Sequence, residues 1–303
     1  MSQNQIILVL TLTLALSACG KKAVETTSSD LDLFSVDQTE SVVESGITAL
    51  NGVADEQANS ALTSFTKPQN LNKYELFKSV FIQEAFAAVC SRAYQQSCVN
   101  GIKTISYSGC TNSNAAATFN GDVSLTYSHG SCTLAVSGDS VTRAYDLNIA
   151  GPRGGLLSVT SDNAVDYLGS SYGGGGKLSK TNSGFEIEIM GKHKSLSYNG
   201  RTRYSVSMRT TSPVQITGTI ARAGRTVSGG ALEINHNLAK FTTSITPNNL
   251  NYSNVCCHPV SGTLAINYSG SITGSATLTF NGCGSATYVK AGQSKDITLS
   301  YCE

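Results

Sequence analysis

The chain contains no tryptophan, and only 14% of its 303 residues are charged. Without tryptophan, a sugar-binding module built on broad aromatic platforms is disfavoured, although thirteen tyrosines leave smaller stacking surfaces. Low charge together with 40% hydrophobic residues excludes the charge-rich, apolar-poor composition of a disordered chain. No apolar run reaches the about 20 residues that a membrane-spanning helix requires. No acidic residue lies between Glu188 and Glu233, and the first eighteen residues carry no charged side chain.

Gly, Ser, Thr and Asn are plentiful instead, which is the composition of a β-rich exported protein. The length allows one large domain or two small ones.

Residues Ile6 to Ala15 form a short apolar stretch interrupted only by Thr11 and Thr13. That length suits the hydrophobic core of a cleaved signal peptide. Leu16-Ser17-Ala18-Cys19 follows at once, and this tetrad resembles the lipobox of bacterial lipoproteins. The resemblance implies cleavage between Ala18 and Cys19 and diacylglycerol on the Cys19 sulfur. It covers about twenty residues and concerns location alone. The segment before the apolar stretch, Met1 to Gln5, lacks the Lys or Arg usual in that family. Gly20 stands where Asp would favour inner-membrane retention in such lipoproteins, so the outer membrane is the expected address. Several acyl chains anchor stably where one is marginal.

Assigning Cys19 to lipid leaves eight cysteines: Cys90, Cys98, Cys110, Cys132, Cys256, Cys257, Cys283 and Cys302. An even number in an oxidising compartment predicts up to four disulfides. They fall into two groups of four, and pairing is expected mostly within each group.

The organisation expected along the chain is a signal peptide over 1–18, a flexible acidic tether over 19–40, a helical segment over 41–89 and a β-rich domain over 90–303. In 41–62, Val43, Ile47, Leu50, Val53 and Ala54 recur at helical steps, weakened by Gly46 and Gly52. Beyond Pro68, with Asn70 or Asn72 as a cap, a second helix would carry the stripe Tyr74, Phe77, Val80, Phe81, Glu84 and Ala87. Such a stripe is suited to packing on a neighbouring sheet.

From Cys90 onward the period changes to two. Phe185, Ile187 and Ile189 alternate with Glu186, Glu188 and Met190. Asn199-Gly200 is a strong hairpin signal, and Ala223-Gly224, Asn120-Gly121 and Asn281-Gly282 are weaker turn signals. The fold class expected is mainly β: a many-stranded antiparallel sheet or sandwich, stapled by disulfides, with no helix after Cys90.

Gly101–Gly121 aligns without gaps with Gly262–Gly282, and ten of twenty-one positions are identical. Asp122–Tyr127 echoes Asp296–Tyr301, with Cys132 and Cys302 nearby. Similar strand pairs, each stapled by cysteines, are expected to open and close the β region. Two copies this far apart do not make a solenoid.

Cys256-Cys257-His258 has the residue types of a zinc site, but the other cysteines are distant and the compartment is oxidising, so disulfides are preferred. His129, His193 and His236 sit in unrelated contexts. Gly173–Gly176 before Lys177 lacks the glycine and Ser/Thr of a phosphate loop and reads as a flexible hairpin loop. Glu186 and Glu188 share a strand face about 7 Å apart, a spacing that solvent-exposed charge explains without catalysis. No metal, cofactor or catalytic motif is expected.

The most specific patch is basic. With a two-residue turn at Asn199-Gly200, Tyr198 faces Arg201 and Leu196 faces Arg203. Alternation then places Lys192, Lys194, Tyr198, Arg201, Arg203 and Arg209 on one face. Such a face suits an anionic envelope polymer or a lipid headgroup; nucleic acid is not expected outside the cytoplasm. Residues 20–89 carry ten acids and five bases, so the acidic N-terminal segment is a competing occupant of the same face. Three functional classes follow: a non-enzymatic binding, adhesive or envelope-structural module, a carrier of lipid or another apolar ligand, and an envelope-polymer hydrolase. The first is preferred, anchored to the membrane by lipid and contacting an envelope polymer or another envelope protein.

Overall fold

A computed structural model describes residues 94–299, apart from Gln96, 112–116, 152–153 and Asn163. The expected signal peptide, tether and helices, together with Cys19, Cys90 and Cys302, lie outside the described residues. Of the described residues, 71% are strand and none is helix, so the mainly β expectation holds.

Eighteen strands follow one another: β1 (Tyr94–Gln95), β2 (Ile102–Thr111), β3 (Thr118–Tyr127), β4 (Ser140–Ala150), β5 (Gly155–Thr160), β6 (Ala164–Val165), β7 (Ser171–Tyr172), β8 (Gly175–Lys180), β9 (Gly184–Tyr198), β10 (Arg201–Ser212), β11 (Val214–Gly218), β12 (Arg225–Ser228), β13 (Ala231–His236), β14 (Phe241–Ser253), β15 (Cys256–Gly270), β16 (Gly274–Gly282), β17 (Ser285–Lys290) and β18 (Gln293–Thr298). Sixteen of them form one sheet, in which β1 to β5 lie in sequence, then β9, β10, β13 and β14 to β18. β8 lies between β4 and β9 beyond the end of β5, and β11 and β12 fill the space between β9 and β14. β6 and β7 make a separate small hairpin. All pairings are antiparallel, as short local turns require.

Alternation divides the sheet into an interior face and an outer face. Opposed residues on the interior face are apolar and buried: Ile187 faces Leu178 and Val214, Ile234 faces Met208, and Ile245 faces Leu232 and Ile266. A second cluster gathers Tyr107, Phe119, Val123, Tyr145, Ile149 and Leu157 from β2 to β5. Burying a side chain of this size contributes about 1.5–3 kcal/mol. The outer face is Ser, Thr, Asn and charge.

The Asn199-Gly200 turn forms as expected. Both residues have positive φ, at 49° and 71°, which matches the twist of the flanking strands. Tyr198 does face Arg201, but the expected pairing of Leu196 with Arg203 does not occur. The register slips between Thr202 and Tyr204, and Leu196 faces Tyr204. Arg203 is thus the extra residue of a β-bulge. A second bulge leaves Met190 extra between Ile189, opposite Gly176, and Gly191, opposite Gly175.

Asn120-Gly121 is not a turn. Gly121 lies inside β3 opposite Leu147, and a Cβ there would stand 1.9 Å from the Asp146 carbonyl oxygen. Close backbone approach, not chain reversal, explains the glycine. Gly175 and Gly176 are likewise inside β8 and buried, so only the first half of the glycine run is loop.

Two disulfides join cysteines of the same group, Cys98–Cys132 and Cys256–Cys283. Cys98 precedes β2 and Cys132 follows β3; Cys256 opens β15 and Cys283 follows β16. Each therefore closes the hairpin that carries one copy of the repeat. Cys110 is disulfide-bonded as well. Tyr107 and Phe119 of the first copy and Tyr268 and Phe280 of the second are all buried. The registers differ, however: Tyr107 faces Gly121, whereas Tyr268 faces Gly274.

Candidate functional site

The bulges at Met190 and Arg203 decide where the basic residues go. An extra residue exchanges the faces of everything beyond it. Lys192 and Lys194 consequently point to the interior face, opposite Met208 and Val206, and are only 4% and 5% exposed. Arg209 points to the outer face and donates from Nε to Glu233 Oε1 at 3.0 Å. Arg201 and Arg203 are exposed near the hairpin tip, beside half-buried Tyr198. The six residues do not share one face.

On the interior face, Lys192 joins Arg143 of β4, which is 6% exposed. Both cations stand over the Tyr145 ring, the Lys192 Nζ 4.2 Å and the Arg143 Cζ 4.4 Å from its centroid. The ring's negative face favours cations. Lys194 lies two residues along the same strand face. Sequence alternation alone did not reveal Arg143 as a member, because β4 and β9 are brought together only through β5 and β8.

The outer face carries a polar lock. Residues 164–172 of the β6–β7 hairpin lie over β9 and β10, and four side chains fasten them. Ser207 Oγ donates to the Val165 carbonyl at 2.7 Å. Asn235 Nδ2 donates to the Tyr172 hydroxyl at 3.0 Å. The Tyr167 hydroxyl lies 3.2 Å from Thr242 Oγ1, which itself donates to Asn235 Oδ1 at 2.6 Å. Asn237 Nδ2 reaches the same Val165 carbonyl at 3.2 Å and Ser207 Oγ at 3.0 Å. The Arg209 guanidinium sits 5.0 Å from the Tyr172 ring centroid. Burial raises the Tyr172 phenol above its ordinary pKa, against the lowering effect of its bond to Asn235.

His193 Nδ1 lies 3.0 Å from Ser207 Oγ within this lock. Burial lowers the His193 pKa, which keeps the ring neutral. The single Ser207 proton is already given to Val165, so His193 Nδ1 carries hydrogen and donates. A histidine that donates to a serine is not its general base. Ser207 is also fully buried. The pair is structural.

A different surface lies further along the outer face. Asn248, Thr263, Thr279, Thr287 and Asp296 form one cross-strand row over β14 to β18, and Thr246, Ala265, Thr277, Val289 and Ser294 form the next. Ser244, Asn267 and Ser275 begin a third. Neighbouring strands are about 4.8 Å apart, so these are closely spaced rows, mostly of hydroxyl and amide groups, with Ala265 and Val289 as the apolar members of the second. Asp296 is their one charge, and it accepts from Thr287 Oγ1 at 2.7 Å. The high Ser, Thr and Asn content was the sequence signal for this face, but strand order was needed to assemble the rows.

The remaining candidates are dispersed. Cys256 is bridged to Cys283 and so supplies no thiolate. Among the described residues, no three His, Cys, Asp or Glu side chains gather as a metal site. Glu186 and Glu188 share the outer face, and Glu186 Oε1 accepts from Gln215 Nε2 at 2.9 Å. His129 and buried Asp139 pair at 2.8 Å in the loop after β3. The Asp139 carboxyl is held below its ordinary pKa, first by the Val136 amide and then by the Ala135 amide and His129.

Comparison with known proteins finds no matching family model, no matching curated protein and no matching solved structure.

Proposed function

We propose that this chain is a lipid-anchored bacterial envelope protein whose β domain is a non-enzymatic binding or envelope-structural module. The observation that carries the binding role is the outer face of β14 to β18, where mostly neutral hydrogen-bonding groups stand in cross-strand rows, with Asp296 the one charge. Such a surface matches a hydroxyl- and amide-rich polymer, each contact being a modest exchange of water for polymer. The disulfides Cys98–Cys132 and Cys256–Cys283 accord with an oxidising compartment. The lipobox tetrad Leu16-Ser17-Ala18-Cys19 is the basis for the anchor and for the outer-membrane address.

The test is co-sedimentation of the purified protein with isolated envelope polysaccharide fractions. One fraction should bind the native protein, and Thr263→Glu with Thr279→Glu should weaken that binding at least tenfold without changing the melting temperature. Binding that survives 0.5 M salt fits the neutral rows, whereas release by salt fits an anionic polymer held by Arg201 and Arg203. No binding to any fraction, or equal binding by the double variant, would contradict the proposal.

A further inference from the structure

One end of the sheet gathers exposed apolar side chains. Antiparallel order brings the β9–β10 turn at Asn199-Gly200 and the β13–β14 turn over 237–240 to the same end, because β10 leaves it and β13 returns to it, with Val206 opposite His236. The tip of the β6–β7 hairpin arrives there too. Asn237 Nδ2 holds the Val165 carbonyl, and the Tyr167 hydroxyl meets Oγ1 of Thr242, the second residue of β14. Val165, Leu168 and Leu238 therefore belong to one surface, and all three are exposed, Leu168 by 72% and Leu238 by 53%.

A lone exposed leucine is ordinary, but large apolar side chains from two separate turns at one place mark an interaction surface. Both leucines sit on turns fixed by hydrogen bonds. The Lys240 amide donates to the His236 carbonyl and closes the β13–β14 turn. Asp166 Oδ1 accepts from the Leu168 and Ser170 amides and sets the hairpin tip.

The charge around this surface is of one sign. Lys240 follows Leu238 by two residues, and Arg201 and Arg203 follow the neighbouring β9–β10 turn; all three are exposed. Of the described acids, Asp166 is the one within the hairpin, and it is buried. Asp162 lies at the base of the hairpin, where its amide donates to Thr160. Glu233 accepts from Arg209 further down the strands. Apolar side chains flanked by cations are what a bilayer interface takes up: the leucines bury among acyl chains and the cations meet anionic headgroups.

We infer that Val165, Leu168 and Leu238, flanked by Arg201, Arg203 and Lys240, form a contact with an anionic bilayer surface. This contact uses turns at one end of the sheet and is independent of the polymer role assigned to the rows of β14 to β18.

The experiment reads this surface locally, so that an anchor elsewhere in the chain does not decide it. Because the chain has no tryptophan, Leu168→Trp or Val255→Trp places a single indole in the full chain. Val255 is also exposed, but in the β14–β15 turn at the opposite end of the sheet. With vesicles of equimolar phosphatidylglycerol and phosphatidylethanolamine, Leu168→Trp emission should shift to shorter wavelength and be quenched by brominated acyl chains. Leu238→Trp should behave alike, and Val255→Trp should do neither. Adding Arg201→Gln, Arg203→Gln and Lys240→Gln to Leu168→Trp should raise the lipid needed for half the shift at least tenfold. Phosphatidylcholine vesicles should require a similar excess. No shift at Leu168→Trp and Leu238→Trp, or an equal shift at Val255→Trp, overturns the inference. A shift produced equally by heparin without lipid overturns it in favour of an anionic polymer.

Discussion

His193 donates a hydrogen bond to Ser207, and Ser207 donates its only proton to the Val165 carbonyl. Two residues that in isolation resemble a nucleophile and its base are thereby fixed in the opposite sense. Their work is to hold the β6–β7 hairpin on the outer face. The direction of one proton distinguishes a structural lock from a catalytic dyad.

The lock has a measurable weak point. Asn235 is buried and links Tyr172, Glu233 and Thr242. Asn235→Ala removes a donor from Tyr172 and from Glu233 and the acceptor of the Thr242 hydroxyl, while Arg209 still reaches Glu233 and Tyr167 still reaches Thr242, so a cost of about 1–3 kcal/mol in all is expected. A lower urea midpoint and faster proteolysis between Asp166 and Ser171 are expected, with the rest of the sheet still protected from hydrogen exchange.

Acid should weaken the domain through His236. Its ring stacks on Phe241 with centroids 4.2 Å apart, and its Nε2 has no hydrogen-bond partner among the described residues. Burial lowers its pKa from 6.5 to about 4. The unfolded chain therefore binds a proton more readily than the folded one. Stability from this group is complete above pH 6.5 and declines as pH falls towards about 4, by a total of about 3 kcal/mol. His236→Phe keeps the stack and removes the titration. Urea unfolding at pH 7 and pH 4.5 should show a smaller loss in the variant than in the native protein.

Each hairpin staple should matter through the unfolded state. The bridges span 34 and 27 residues, and loop-closure entropy then gives about 3–4 kcal/mol apiece. Cys256→Ser with Cys283→Ser should lower the melting temperature, and an intact-mass comparison should show loss of one bridge only.

Backbone crowding makes Gly121 and Gly130 a discriminating pair. A Cβ at Gly121, where φ is 110°, meets the Asp146 carbonyl oxygen, whereas Gly130 has open space and no positive φ. Gly121→Ala should cost more than 2 kcal/mol, above the about 1 kcal/mol typical of point substitutions, while Gly130→Ala should stay within about 0.5 kcal/mol. Chemical denaturation of the two variants measures both.

Much of the architecture was readable from local pattern. Phe185, Ile187 and Ile189 signal a strand through their own alternation, and Asn199-Gly200 signals a turn through the φ values it tolerates. The within-group disulfides were readable too, since a meandering antiparallel sheet keeps cysteines near in sequence near in space. The basic face was misread because counting in twos assumes no inserted residue. Arg203 and Met190 are such insertions, and nothing in their side chains announces a bulge. Gly121 was mistaken for a turn residue because the same Asn-Gly pair also serves where a neighbouring strand approaches too closely for a Cβ. The interior cluster of Arg143, Tyr145 and Lys192 depends on strand order, which local pattern does not encode.

The proposed envelope role depends on a lipid at Cys19. Expression of the full chain in a bacterial host grown with labelled palmitate, followed by recovery of the protein from membrane and soluble fractions, measures it directly. The native chain should carry label and sediment with membrane, and Cys19→Ser should be unlabelled and soluble. An unlabelled native protein, or a Cys19→Ser variant that still incorporates palmitate, would contradict the anchor and with it the envelope role.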